Sequence, residues 1–180
     1  MNEYCWGIKG WKPSWYESVN ELISALRKEN ICGSIIESTW TLWDGEEWFE
    51  DAPVIVVAGN KQLEFCANKI DIFSFSINSI DIKTSVNWCE EPSGLGSLIW
   101  KKDAHALLAN LVGKRLIEIG VIEYCLDKNV QEIFNQQWVL SGVYMSCGSA
   151  YIEIFNALDC NGITNNRDSN SELRYVNSKA

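Results

Sequence analysis

The sequence is short of histidine, proline and basic side chains, and each shortage closes off a class of function. A single histidine, His105, cannot build a histidine-rich metal centre and has no visible partner for a catalytic triad. Three prolines, with the one Pro-Gly cluster at EPSGLG (91–96), supply no linker between domains. Fifteen Lys and Arg against 24 Asp and Glu leave a net charge of −9, which disfavours direct binding to nucleic acid or an anionic membrane and favours a basic partner. No run approaches the ~18 apolar residues of a membrane-spanning helix, and MNEYCWGIKGWKP lacks the pattern of a signal peptide, so the expected location is cytoplasmic. The GLGS at 94–97 lacks the lysine of a phosphate loop, and Asp159-Cys-Asn-Gly162 lacks the ligands of a calcium loop and reads as a turn. No cofactor or metal is expected, and no catalytic residue is assigned.

Seven cysteines are present, an odd number, and none lies within four residues of another. That spacing excludes a CxxC pair or zinc knuckle, so the cysteines read as reduced core residues inside apolar runs. A chain of 180 residues that is 47% hydrophobic suits one domain, burying roughly 70% of its unfolded surface. The expected layout is a single α+β domain over 1–165 and a flexible polar tail over 166–180.

Apolar Trp15, Val19, Leu22, Ile23 and Leu26 recur at helical spacing, with Ser14 and Glu17 spelling a capping box and Asn30 a left-handed stop. That predicts a helix over Ser14 to Glu29. A second helix of about ten residues is expected from Asp103 as N-cap through Leu107, Leu108 and Leu111 to Gly113. Period-two segments predict strands at 36–43, Val54 to Ala58, Gln62 to Cys66, Ile70 to Phe75, Ser79 to Ile82, Val86 to Cys89 and Arg115 to Leu126. A terminal hairpin is expected from Trp138 to Cys147 and Ala150 to Phe155 across Gly148-Ser149. The predicted fold is therefore α+β, a largely antiparallel, meander-like sheet with two helices packed on it.

The stretch WTLWDGEEWFED (40–51) holds three tryptophans, a phenylalanine and five acids. Asp44-Gly45 between aromatic runs reads as a two-residue hairpin turn, setting Trp43 opposite Glu46, Thr41 opposite Trp48 and Trp40 opposite Phe49. Trp40 and Phe49 are then expected in the core, with Trp43, Trp48 and the acids on the surface. Two of the carboxylates could act as a glycosidase acid and base, with Trp40, Trp43 and Trp48 as sugar platforms. That chemistry needs one acid raised by burial, whereas acids beside a glycine turn read as exposed. Aromatic anchors ringed by carboxylates instead have the anatomy of a protein-binding surface. A structural role for all nine tryptophans also stays open.

WCEEPSGLG (88–96), the following LIWKKDAHALLANLVGKRLIEIGVIEY, and WVLSGVYMSCGSAYIEIFNALDCNGI resemble small bacterial proteins, nearest the immunity proteins of polymorphic and contact-dependent toxin systems. The resemblance covers the C-terminal half and rests on an acidic, Trp-rich, Cys-tolerant texture and the NALD-x-NG ending. Such proteins block a cognate toxin, often a basic nuclease, by covering its active site or an adjacent surface. The resemblance implies a non-catalytic inhibitor, and the surface read from the 40–51 stretch itself supplies the residues expected to meet a basic partner: Trp43, Asp44, Glu46, Glu47, Trp48, Glu50 and Asp51. A carbohydrate-binding or glycoside-acting protein using the same stretch is the alternative.

Overall fold

The computed structural model describes residues 7–8, 10–69, 72–86, 98–127, 129, 131, 137–167 and 172–178. Two antiparallel sheets share one hydrophobic core. The first contains β1 (Ser14–Tyr16), β2 (Ile36–Asp44), β3 (Glu47–Trp48), β4 (Val54–Ala58), β5 (Lys61–Asn68), β6 (Ile72–Ile77) and β7 (Ile99–Lys102), in the order β1-β6-β5-β4-β2-β3 with β7 on β2. The second runs β11 (Asn161–Thr164), β10 (Tyr151–Asn156), β9 (Trp138–Ser146), β8 (Glu118–Cys125), β12 (Leu173–Asn177). Their inner faces meet through Val54, Val56, Phe65 and Phe73 on one side and Ile119, Val121, Val143 and Ile154 on the other, all at most 1% exposed. The α+β class is as expected, but two sheets rather than one form the core, to which the helices add Leu22, Ile23, Leu26 and Leu108.

The helices are shorter than the sequence predicts. Helix α1 spans Val19–Glu29, buries Leu22, Ile23 and Leu26, and packs against β8. The chain carries two S-x-x-E spellings four residues apart, Ser14/Glu17 and Ser18/Glu21, and the helix starts at the second. Ser14, Trp15 and Tyr16 instead pair with β6, because aromatic residues fit a pleated edge and this edge was otherwise open. Asn30 ends the helix at φ 47 as predicted.

Helix α2 covers only Ala106–Ala109, and its N-cap is His105, not Asp103. Asp103 sits at φ 51, and its carboxylate accepts the Thr39 backbone N–H at 2.7 Å, so it terminates the β7–β2 ladder rather than capping a helix. Among the described residues, no helix is long and apolar enough to cross a membrane.

Three further expectations change. Ser79 to Ile82 is not a strand, because the N–H groups of Ser79 and Ile80 are taken by the Glu64 carboxylate at 2.8 Å each. Val86 forms a single bridge with Leu98, while 70–71 and 87–97, with most of the predicted 86–89 strand, lie outside the described residues. Within the stretch expected to be a polar tail, Leu173–Asn177 forms β12, paired with β8 along its length.

The outer face of the first sheet carries a second hydrophobic cluster. Ile8, Trp11, Ile80, Val86 and Leu98 cover the strand residues Leu42, Ile55, Cys66 and Trp100, with Trp15, Trp40, Val57 and Phe49 at the margin. A bulge between Ile36 and Ser38 turns β2 over, so Ile36 enters the shared core while Leu42 enters this outer cluster.

Candidate functional site

The 40–51 stretch does form a hairpin, one residue later than predicted. Asp44 pairs with Glu47 and Trp43 with Trp48, so the loop residues are Gly45, at φ 55, and Glu46. Gly45 therefore takes the first loop position, and the turn needs positive φ there alone, the II′ rather than the I′ pattern. Trp40 and Phe49 pack at the margin of the outer cluster, and Thr41, Trp43 and Trp48 share the opposite face. β7 completes that face by setting Ile99 directly opposite Trp43. The result is an Ile99–Trp43–Trp48 row across three strands, in which Ile99 is 44% exposed and both indoles are half-buried. Ile99 was missed in the sequence because its pairing joins segments more than fifty residues apart.

The acids surround this row. Asp44, Glu46, Glu47 and Glu50 are exposed, and Asp51 is half-buried. Burial raises the Asp51 carboxyl above its ordinary range, and neighbouring Glu50 and Asp159 push it the same way. Lys101 is the counter-charge at the tip. Its Nζ donates to the Gly45 carbonyl at 2.7 Å and to Glu46 at 3.3 Å, and lies 5.1 Å from the Trp43 ring centroid. The Trp43 indole N–H donates to Thr41 Oγ1 at 2.8 Å, which fixes its rotamer. Trp48 packs edge-on against His105, ring centroids 4.8 Å apart, and burial lowers the His105 pKa so that the imidazole is neutral at pH 7. Lys101 thus already occupies one face of the Trp43 indole.

The base of the hairpin is pinned by Asn161, which is 1% exposed. Its side-chain amide donates to the carbonyls of Glu50 and Ala52 and accepts the Ala67 N–H, tying β11 to the first sheet. Asn161 thus belongs to a strand, and the turn expected at 159–162 falls at Ala157 to Cys160, closed by the Ala157 N–H on the Cys160 carbonyl. Cys66 beneath it is buried, and burial pushes its thiol up to about 12. Cys66 and Cys147 are buried as expected, whereas Cys32, Cys125 and Cys160 are half-exposed; none of the five is in a disulfide.

A second concave region lies on the outer face of the second sheet, a cavity of about 700 Å³ walled by Ile122, Val139, Phe155 and Leu173. Aromatic rings lie flat on glycines here. A Cβ on Gly120 would stand 2.5 Å from the Tyr144 ring, and one on Gly162 would stand 2.4 Å from that of Phe155. Tyr144 and Tyr151 stack at 6.0 Å, and their hydroxyls donate to Glu118 at 2.5 Å and to Glu153 at 2.6 Å. Burial and then those carboxylates raise both phenols, so they remain donors. Among the described residues, no group of three or more His, Cys, Asp and Glu could hold a metal ion.

Comparison with known proteins gives no match to a family model, to a curated protein or to a solved structure.

Proposed function

We propose that this chain is a non-catalytic acidic binding protein of the immunity type, one domain built on meander-like sheets, that neutralises a basic toxin domain in the cytoplasm by covering its active site or an adjacent surface. The observation that carries the reading is the Ile99–Trp43–Trp48 row bordered by exposed Asp44, Glu46 and Glu47, with Glu50 and Asp51 following. Half-buried aromatic anchors contribute contact energy, while the surrounding carboxylates accelerate encounter with a basic surface and reject acidic ones. Several anionic groups on a short hairpin also resemble a phosphate backbone to a nuclease, so nucleic acid is the competitor rather than the ligand.

The test is protection and complex formation with the toxin domain encoded next to this gene. Cells making the chain should survive expression of that domain, and the purified pair should associate more slowly as salt rises. Glu46→Lys/Glu47→Lys should slow association at least tenfold, and Trp43→Ala should speed dissociation, with both variants folded by circular dichroism. Protection by these variants equal to the parent chain would move the interface elsewhere. Absence of any complex with a basic domain would end the immunity reading.

A further inference from the structure

Among the described residues each sheet buries one carboxylate on its outer face, and the two are satisfied differently. Glu64, 1% exposed on β5, is enclosed by five donors: the Ser76 and Ser79 hydroxyls, the Gln62 amide, and the N–H groups of Ser79 and Ile80. Glu153, 4% exposed on β10, receives one side-chain donor among the described residues, the Tyr151 hydroxyl at 2.6 Å. An enclosed carboxylate has about four acceptor positions and is costly to bury with most of them unmet. Glu64 records what this chain builds around a carboxylate that is purely structural. Glu153 has no such enclosure and faces the cavity.

Arg167 lines the same cavity. Among the described residues it forms neither an ion pair nor a hydrogen bond, and its guanidinium lies 4.2 Å from the Tyr175 ring and 5.9 Å from that of Tyr144. Two opposite charges therefore face one apolar cavity without pairing with each other, each held by a tyrosine. At the rim stands Leu158, 83% exposed and at φ 65, an arrangement that neither turn preference nor core packing favours.

We infer that this cavity binds a small zwitterion with an apolar body, the chemistry of a short apolar peptide or apolar amino acid. Its ammonium meets Glu153, its carboxylate meets the planar fork of Arg167, and its body lies on Ile122, Val139, Phe155 and Leu173 under Leu158. A volume of about 700 Å³ is within the usual range for small-molecule sites. The lining shares no residue with the acidic hairpin, so either reading can fail alone.

Isothermal titration of the full chain with trileucine, free leucine, N-acetyl-trileucine and trileucine amide tests it. Trileucine or leucine should bind saturably, the tighter of the two identifying peptide or amino acid, and each blocked peptide should bind about tenfold more weakly than trileucine. Glu153→Gln should erase the preference for a free ammonium, and exposed Arg167→Ala the preference for a free carboxylate. Arg167→Ala carries the test if Glu153→Gln fails to fold. Lack of saturable binding by trileucine and leucine at millimolar concentration overturns the proposal, as does equal binding of blocked and free peptides.

Discussion

The outer face of the first sheet is roofed, and that of the second is open. Ile8, Trp11, Ile80, Val86 and Leu98 cover the first, and the carboxylate on that face, Glu64, is saturated with donors. On the second, aromatic rings lie on glycines around a cavity, and Glu153 has one side-chain donor among the described residues. Both faces grow from the same shared core, so stability does not require the difference. A sheet needs one buried face, and what its other face does is left to function. The first sheet uses its cover to carry the acidic hairpin at one end, while the second keeps a concave surface.

The largest expected effect tests how tightly that open face is built. A Cβ on Gly142 would lie 2.3 Å from the Ile154 carbonyl oxygen, a backbone atom that cannot rotate away. Gly142→Ala should therefore destabilise by at least about 3 kcal/mol in urea unfolding. Gly45→Ala meets no neighbouring atom and carries only its φ of 55, which costs about 1 kcal/mol. Equal losses would mean that β9 and β10 have slack and the cavity floor is not fixed.

The two buried carboxylates give the next contrast. Glu64→Gln replaces one of the two acceptor oxygens with a donor, set against either the N–H groups of Ser79 and Ile80 or the hydroxyls of Ser76 and Ser79, and weakens the bonds to the other, which should cost about 2 kcal/mol. Glu153→Gln removes an under-partnered buried charge, and should change stability by less than about 1 kcal/mol in either direction. Matching losses at the two positions, read from urea midpoints, would remove the case that Glu153 awaits a ligand.

Much of the framework was legible. Val54 to Ala58 is a strand with the predicted bounds, and the Gly148 hairpin and the Asn30 stop are where local chemistry puts them. The errors come from residues whose roles are assigned by distant partners. Ser14 spells a cap but is taken by the edge of β6. Asp103 spells another but is taken by Thr39, sixty-four residues away. Leu173, Tyr175 and Val176 are too few apolar residues to announce a strand, and become one because β8 offers an unpaired edge. Within the hairpin, separation of the two faces was legible from alternation alone; Ile99 and the cavity were not, since each depends on strand neighbours that no local pattern names.

The β10–β11 turn sharpens the contrast from another side. Leu158 and Asp159 occupy its two central positions at φ 65 and 75, where asparagine and glycine are preferred. Leu158→Asn should stabilise the chain by about 1 kcal/mol, a Tm rise of about 2–4 °C. The same substitution should weaken zwitterion binding several-fold. A gain in Tm with unchanged binding would separate the turn from the cavity and leave Leu158 without a role there.

The smallest effect belongs to the hairpin. Asp51 has a folded pKa above its unfolded value, through burial and then repulsion from Glu50 and Asp159. An acid shifted in that direction favours the folded state most when protonated, below its unfolded pKa near 3.8, and loses that contribution as pH rises through the higher folded value. Its penalty is then fully present at pH 7. Asp51→Asn should raise Tm at pH 7 by about 1 °C, because solvent screens most of the interaction, and leave Tm unchanged at pH 3. Added salt should shrink the gain at pH 7 by screening the Glu50 and Asp159 part, while the burial part persists. A basic partner would relieve the same repulsion without a mutation, so the gain from Asp51→Asn should vanish in the complex. A gain that survives in the complex would place Asp51 outside the contact surface and narrow the interface to the residues ahead of it, Trp43 to Glu50.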